Sequence, residues 1–173
     1  MYALEYRRTG DDGGGWPGSF NDVLAGTNKV LSLTQTQQPS VPVSLAGHSA
    51  GGHLALLTGQ AMPSAFAKVI GLAAITRPAI YAKGTNSCET ATPQFFNGTP
   101  EEMPEAYKSA TPSIENVQSP VVLLQGTADN IVATEQSSLS GATTMLIPGA
   151  GHFDFLHTDS LAYYTLLDLL KNG

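Results

Sequence analysis

The chain has 173 residues, 42% of them apolar, which suits one domain with a buried core and excludes a disordered or fibrous protein. Eight basic against fourteen acidic residues leave a formal charge of −6, and no basic cluster extends beyond Arg7-Arg8, which argues against nucleic acid and anionic membranes as partners. A single cysteine, Cys88, excludes an intramolecular disulfide, and no apolar run is long enough to span a bilayer.

The first eight residues do not form a signal peptide and read as the middle of a domain; a cytoplasmic location is the expectation. Residues 2–7 read as a strand, followed by a Gly-rich loop to Gly18. Ser19 to Leu33 reads as a helix, with Ser19 as its cap, Asp22 three places on, and an apolar face of Phe20, Val23, Leu24, Val30 and Leu31. Val41 to Ala46 is a short apolar strand, residues 47–49 a tight turn, and 50–61 a helix. Lys68 to Ile75 is apolar enough to be a strand buried on both faces. Residues 76–100, rich in Gly, Pro, Asn and Thr, read as irregular. Thr99-Pro100-Glu101-Glu102 opens a short helix to about Ser109. Val121 to Gln125 is a strand, Glu135 to Leu139 a very short helix, and Thr143 to Ile147 the last strand. A closing helix runs from Ser160 to Lys171, capped by Asp159 or Ser160. Alternating helices and apolar strands over 1–173 imply one three-layer α/β/α domain with a mostly parallel sheet of about five strands.

The chemistry concentrates at three turns. A serine hydroxyl becomes a nucleophile only when a base takes its proton and the group is held exposed. The run Gly47-His48-Ser49-Ala50-Gly51-Gly52 sits between a strand and a helix, the context of a Gly-x-Ser-x-Gly elbow. Such an elbow holds Ser49 at its apex and turns the Ala50 N–H toward a developing oxyanion. Asp129 follows the strand ending Leu124-Gln125-Gly126, and His152 follows the strand ending Leu146-Ile147. Both therefore fall at the carboxyl edge of the sheet, where sites form in parallel sheets. Singly, Asp129 also suits a turn and His152 a buried loop histidine. The order Ser, Asp, His at three strand ends favours Ser49 as nucleophile, His152 as general base and Asp129 as its orienting acid.

His48 is expected beside the site as a substrate contact, and His53 as a structural residue. His157 and Asp154 rank below His152 and Asp129, because neither sits directly at a strand end. Trp16 reads as an aromatic anchor of the Gly-rich loop. No His, Cys or acidic pair has zinc-like spacing, so no metal is expected.

These motifs together resemble the α/β-hydrolase superfamily, in its small esterase/lipase-like branch that includes kynurenine-formamidase-like enzymes. The resemblance rests on Glu5-Tyr6-Arg7-Arg8, Gly13-Gly14-Gly15-Trp16-Pro17-Gly18, Gly47 to Gly52, Gly126-Thr127-Ala128-Asp129 with Ile131-Val132, and Pro148 to Phe153. It implies a Ser49, Asp129, His152 triad with Ala50 as one oxyanion donor. It also implies cofactor-free hydrolysis of a small-molecule carboxylic ester, or of an aryl-formamide. The family's His-Gly-Gly loop, which supplies further oxyanion donors, has no counterpart in this sequence. Losing one such donor typically costs about 10²–10³ in rate, so a non-catalytic remnant acting as a binding module is the rival expectation. Without the preceding strand, residues 2–7 are expected to pair directly with the elbow strand. A homodimer, or a missing N-terminal segment, is expected to cover the exposed sheet face.

Overall fold

A computed structural model describes residues 1–171. In chain order its elements are α1 (Gly18–Gln37), β1 (Ser44–His48), α2 (Ala50–Ala61), β2 (Lys68–Leu72), α3 (Pro78–Tyr81), α4 (Ser87–Phe96), α5 (Pro104–Ser109), β3 (Val121–Gly126), β4 (Thr143–Ile147) and α6 (Leu161–Lys171). Short 3-10 turns lie at Thr134–Ser137 and Asp154–Leu156. The chain divides into two compact units. Met1–Val43 and Pro78–Thr111 make one; Ser44–Arg77 and the residues from Pro112 onward make the other.

The second unit holds the sheet, which is parallel with strand order β1-β2-β3-β4. The central strands β2 and β3 are buried along their whole length, whereas β1 is half-buried and β4 is mostly exposed. That difference explains their sequences. Val69, Ile70, Leu123 and Leu124 are all at most 1% exposed. Burying each such side chain contributes about 1.5–3 kcal/mol. Strand β4 carries Thr143 and Thr144 at its exposed start and buries only Ile147.

Helix α2 packs on β1 and β2, and α6 packs on β3. The two helices lie on opposite faces. Val69 faces Gly59 of α2, while its neighbour Lys68 reaches the Leu169 carbonyl of α6 at 2.8 Å, and consecutive strand residues point to opposite sides. Lys68 is nearly buried, yet its ammonium caps a carbonyl in the last turn of α6, where backbone acceptors lack partners and a cation is favoured. Ser160 starts α6, its Oγ accepting the Tyr163 N–H at 3.0 Å, which is the cap expected.

Among the described residues the sheet has four strands, not five. Residues 2–7 are not a strand, because helix α1 takes the backbone groups of Arg7. Its N–H donates to Asp22 Oδ2 at 3.0 Å, and its carbonyl accepts the Ser19 hydroxyl at 2.5 Å. The Arg7 guanidinium grips the same Asp22 carboxylate with two bonds of 2.8 Å. Ser19 and Asp22 therefore lie inside α1 holding Arg7, rather than capping the helix as expected; the helix begins beyond Pro17 with no side-chain cap. Among the described residues the expected direct pairing of residues 2–7 with the elbow strand is accordingly absent, and β1 pairs with β2. Strand β1 also runs later than expected, from Ser44 to His48, in register with Lys68 to Leu72.

The stretch 76–100 is not irregular. Asn86 accepts the Cys88 and Glu89 N–H groups, and the Glu89 carboxylate accepts the Asn86 N–H, a reciprocal capping box that starts α4. Pro93 within that helix obscures it in the sequence. Helix α5 starts at Pro104 rather than in the run Thr99-Pro100-Glu101-Glu102, because Thr99 and Glu102 bond to each other in a turn of their own. In this first unit the Trp16 ring stacks on Phe20, and the Trp16 backbone N–H donates to the Phe95 carbonyl, so the residue anchors the Gly-rich loop.

Candidate active site

The first part of the site is the elbow between β1 and α2. Ser49 has φ 57° and ψ −119°, a left-handed backbone that L-residues adopt only when their surroundings force it. Two features force it here. The Ser49 N–H donates to the Leu72 carbonyl at 2.8 Å, carrying the β1–β2 ladder one step past the strand. Gly47 then lets the helix fold back over the strand: a Cβ at that position would lie 2.1 Å from the Gly51 carbonyl oxygen. The serine is half-buried at the apex. The Ala50 N–H opens α2, where the first N–H groups of a helix lack intrahelical partners.

The second part is a corner made by the turns after β3 and β4. The turns are stitched together: the Thr127 N–H bonds the Ile147 carbonyl at 3.1 Å and the Ala128 N–H bonds the Ala150 carbonyl at 3.0 Å. A Cβ on Gly126 would fall 2.2 Å from the Ala150 oxygen, so this approach needs glycine. It brings His152 Nδ1 to 2.8 Å from Asp129 Oδ2, with side chains 6% and 0% exposed. The carboxylate accepts three further N–H groups. Those of Ile131 and Val132 reach Oδ1 at 2.8 and 2.9 Å, and the Gln125 amide reaches Oδ2 at 3.2 Å. Burial pushes the Asp129 carboxyl up, but the bonds from His152, Val132 and Ile131 outweigh it and hold the acid below its ordinary value. A carboxylate only accepts, so the bonded Nδ1 of His152 carries its proton. A neutral imidazole in that tautomer keeps Nε2 free to accept one.

His48 links the two parts. Its Nε2 lies 2.7 Å from the His152 carbonyl oxygen, and the two rings stand 4.6 Å apart between centroids. The rings of Phe153 and Phe155 lie beyond, at 5.9 and 6.3 Å. Burial is the largest influence on His48 and lowers its pKa from the ordinary value, against the opposing bond to the carbonyl.

The structure thus joins Asp129 to His152 directly, and Ser49 is the chain neighbour of His48, whose ring bonds the His152 carbonyl. Among the described residues no hydrogen bond runs from the Ser49 hydroxyl to His152. His53 is buried on α2, and His157 is exposed. Asp154 accepts the Gly151 N–H at 2.9 Å and so braces the histidine turn. Gln125 was not among the residues singled out in the sequence. A lone amide ending an otherwise apolar strand was its signal. The side chain is fully buried and donates to Asp129 and, at 2.9 Å, to the Val132 carbonyl. Among the described residues no group of three or more His, Cys, Asp or Glu is placed to hold a metal ion, and no helix is long and apolar enough to cross a membrane.

The sequence profile of the prolyl oligopeptidase family matches residues 8–152, most of the chain and all three turns. The chain belongs to the prolyl oligopeptidase family. Among its relatives is an uncharacterized peptidase, YtmA, of Bacillus subtilis (strain 168), 26% identical over 132 residues that make up 70% of this chain. The chain spans about half the length of that relative, 51%. Among solved structures, esterase B from Lactobacillus Rhamnosis (HN001) superposes with a TM-score of 0.75 at 19% identity, over 96% of this chain and 62% of the esterase. The Pyrococcus horikoshii acylaminoacyl peptidase gives a TM-score of 0.62 at 17% identity, over 81% of this chain and 24% of the peptidase. At such identities the structures speak for the fold. The parallel sheet flanked by helices, shared with esterase B, is the α/β-hydrolase architecture that the motifs led us to expect.

Proposed function

We propose that the chain carries the catalytic site of a serine hydrolase that cleaves an acyl bond through an acyl-enzyme. The observation that carries the proposal is the buried His152–Asp129 pair at 2.8 Å, with the proton on Nδ1 and the elbow serine one residue from His48. In this reading the Ser49 Oγ attacks the acyl carbonyl while His152 Nε2 takes its proton. The carbonyl oxygen becomes an oxyanion facing the Ala50 N–H. As the tetrahedral centre collapses, the bond to the leaving group breaks and His152 returns the proton to it. Water then attacks the acyl-serine, again giving a proton to His152, and the carboxylic acid leaves with Ser49 restored. Asp129 stays ionised throughout and fixes the imidazole's tautomer and charge.

For the bond cleaved, a small carboxylic ester is the first reading, supported by the likeness to esterase B. Amide or peptide cleavage is the second, favoured by the prolyl oligopeptidase profile. An aryl-formamide is a special case of that second reading. Incubation with a fluorophosphonate followed by intact mass measurement tests the proposal. One adduct is expected on the wild-type chain and none on Ser49→Ala. No adduct on wild type, or an equal adduct on the variant, overturns it and leaves a non-catalytic binding module. Turnover of p-nitrophenyl acetate against an aminoacyl p-nitroanilide and an aryl-formamide then separates the two bond classes.

A further inference from the structure

The elbow and the histidine turn are 104 residues apart in the chain, yet the His48 ring reaches across to the main chain of His152. A carbonyl oxygen can only accept, so His48 Nε2 carries the proton and donates it. His152 lies in a turn, outside any strand or helix, so no ladder fixes its peptide group. Its side chain has one orienting bond, from Nδ1 to Asp129. That bond leaves the ring free to swing about the Nδ1–Oδ2 line as the backbone of residue 152 shifts. A second tether on the backbone removes that freedom.

We propose that His48 is a positioning residue: its Nε2–H holds the His152 carbonyl and thereby sets the imidazole's reach toward the Ser49 hydroxyl. His48 is adjacent to Ser49, so the base is gauged from the residue next to the nucleophile. Any shift of the elbow carries the histidine with it. The surroundings suit this role. Phe155 is fully buried beside the ring, and burial favours the neutral form. A neutral His48 offers one donor, already used on the carbonyl, and adds no positive charge next to the imidazolium that forms on His152. This role rests on the serine-hydrolase reading and replaces the substrate contact expected for His48.

Two variants in the 173-residue chain test it. His48→Phe keeps a ring against Phe153 and Phe155 but has no donor. His48→Gln keeps a side-chain N–H of similar reach. The expected result is a fall in kcat of about 10- to 100-fold for His48→Phe, since a displacement near 1 Å has costs of that order. KM should stay near wild type, the fluorophosphonate should label more slowly, and melting temperatures should be similar. His48→Gln should recover most of the loss. Equal loss in both variants, a change in KM alone, or loss that tracks the melting temperature would overturn the proposal. Nitrogen-15 NMR supplies a readout that needs no turnover. His48 should be protonated at Nε2, and the His152 ring resonances should move in His48→Phe and return in His48→Gln. If wild type takes no fluorophosphonate adduct, the hydrolase reading fails; the NMR result then still decides whether His48 holds His152.

Discussion

The two halves of the candidate site are built by different physics. The elbow is held by shape: Gly47 admits the Gly51 carbonyl at a distance no side chain would allow, and Ser49 is forced to φ 57°. The corner after β3 and β4 is held by polar bonds: the Asp129 carboxylate collects four N–H donors, one of them from His152. One half stores backbone strain, and the other stores a buried charge in a low-dielectric setting. The lesson is that substitutions in the elbow should act through sterics and be indifferent to pH. Substitutions in the corner should act through charge and depend on it.

The largest expected effect falls on turnover. Ser49→Ala should lower kcat by about 10⁶-fold, as removal of a triad nucleophile does, while the fold persists. Asp129→Asn should cost about 10⁴-fold, because an amide can impose the wrong imidazole tautomer while leaving the geometry intact. Steady-state kinetics on the best substrate of the panel checks both. If Asp129→Asn retains activity within a few-fold, the corner is a structural turn and the comparison breaks.

Much of this arrangement was legible because local chemistry and tertiary role coincide. Strand β4 and the limits of α2 are read from apolar runs bounded by glycines, and the three turns announce themselves by a Gly followed by a polar residue. Three features were not legible. Residues 2–7 have the alternation of a strand, but the pull of Asp22 and Ser19 on Arg7 is a tertiary effect that no local pattern displays. Helix α4 was hidden behind Pro93, although Asn86 and Glu89 carry its capping signature. The His48 bond joins residues that become neighbours only when the sheet edge forms.

The next effect is on stability. Gly47→Ala should destabilise the fold by about 1–3 kcal/mol or more, since the new Cβ meets backbone atoms rather than a flexible side chain. Urea unfolding would measure it; an unchanged midpoint would mean that the elbow relaxes freely and is not held by shape. In the opposite direction, Ser49→Gly should stabilise the chain by about 1 kcal/mol, because glycine adopts positive φ without strain. A variant that melts higher while losing turnover would show that the strain at residue 49 is kept for its placement of the hydroxyl.

The smallest effect, and the one that separates the two halves most cleanly, is on the pH dependence of stability. The Asp129 carboxyl lies below its ordinary value in the folded chain. In acid the unfolded chain therefore takes up a proton at this residue before the folded chain does, and stability rises with pH wherever the unfolded state binds more protons. The contribution of Asp129 is thus fully present above the ordinary carboxyl value and is lost as pH falls through the folded one. The difference in melting temperature between wild type and Asp129→Asn should shrink over that acid window. His48 is also depressed, so its neutral form contributes above its ordinary value, 6.5, and less below it. The Ser49→Gly difference contains no titrating group and should stay flat from neutral pH downward. Melting curves of the three proteins at matched ionic strength decide the matter. Parallel acid profiles for wild type and Asp129→Asn would mean that the four donors do not hold a charge, and the contrast between a steric elbow and an electrostatic corner would be lost.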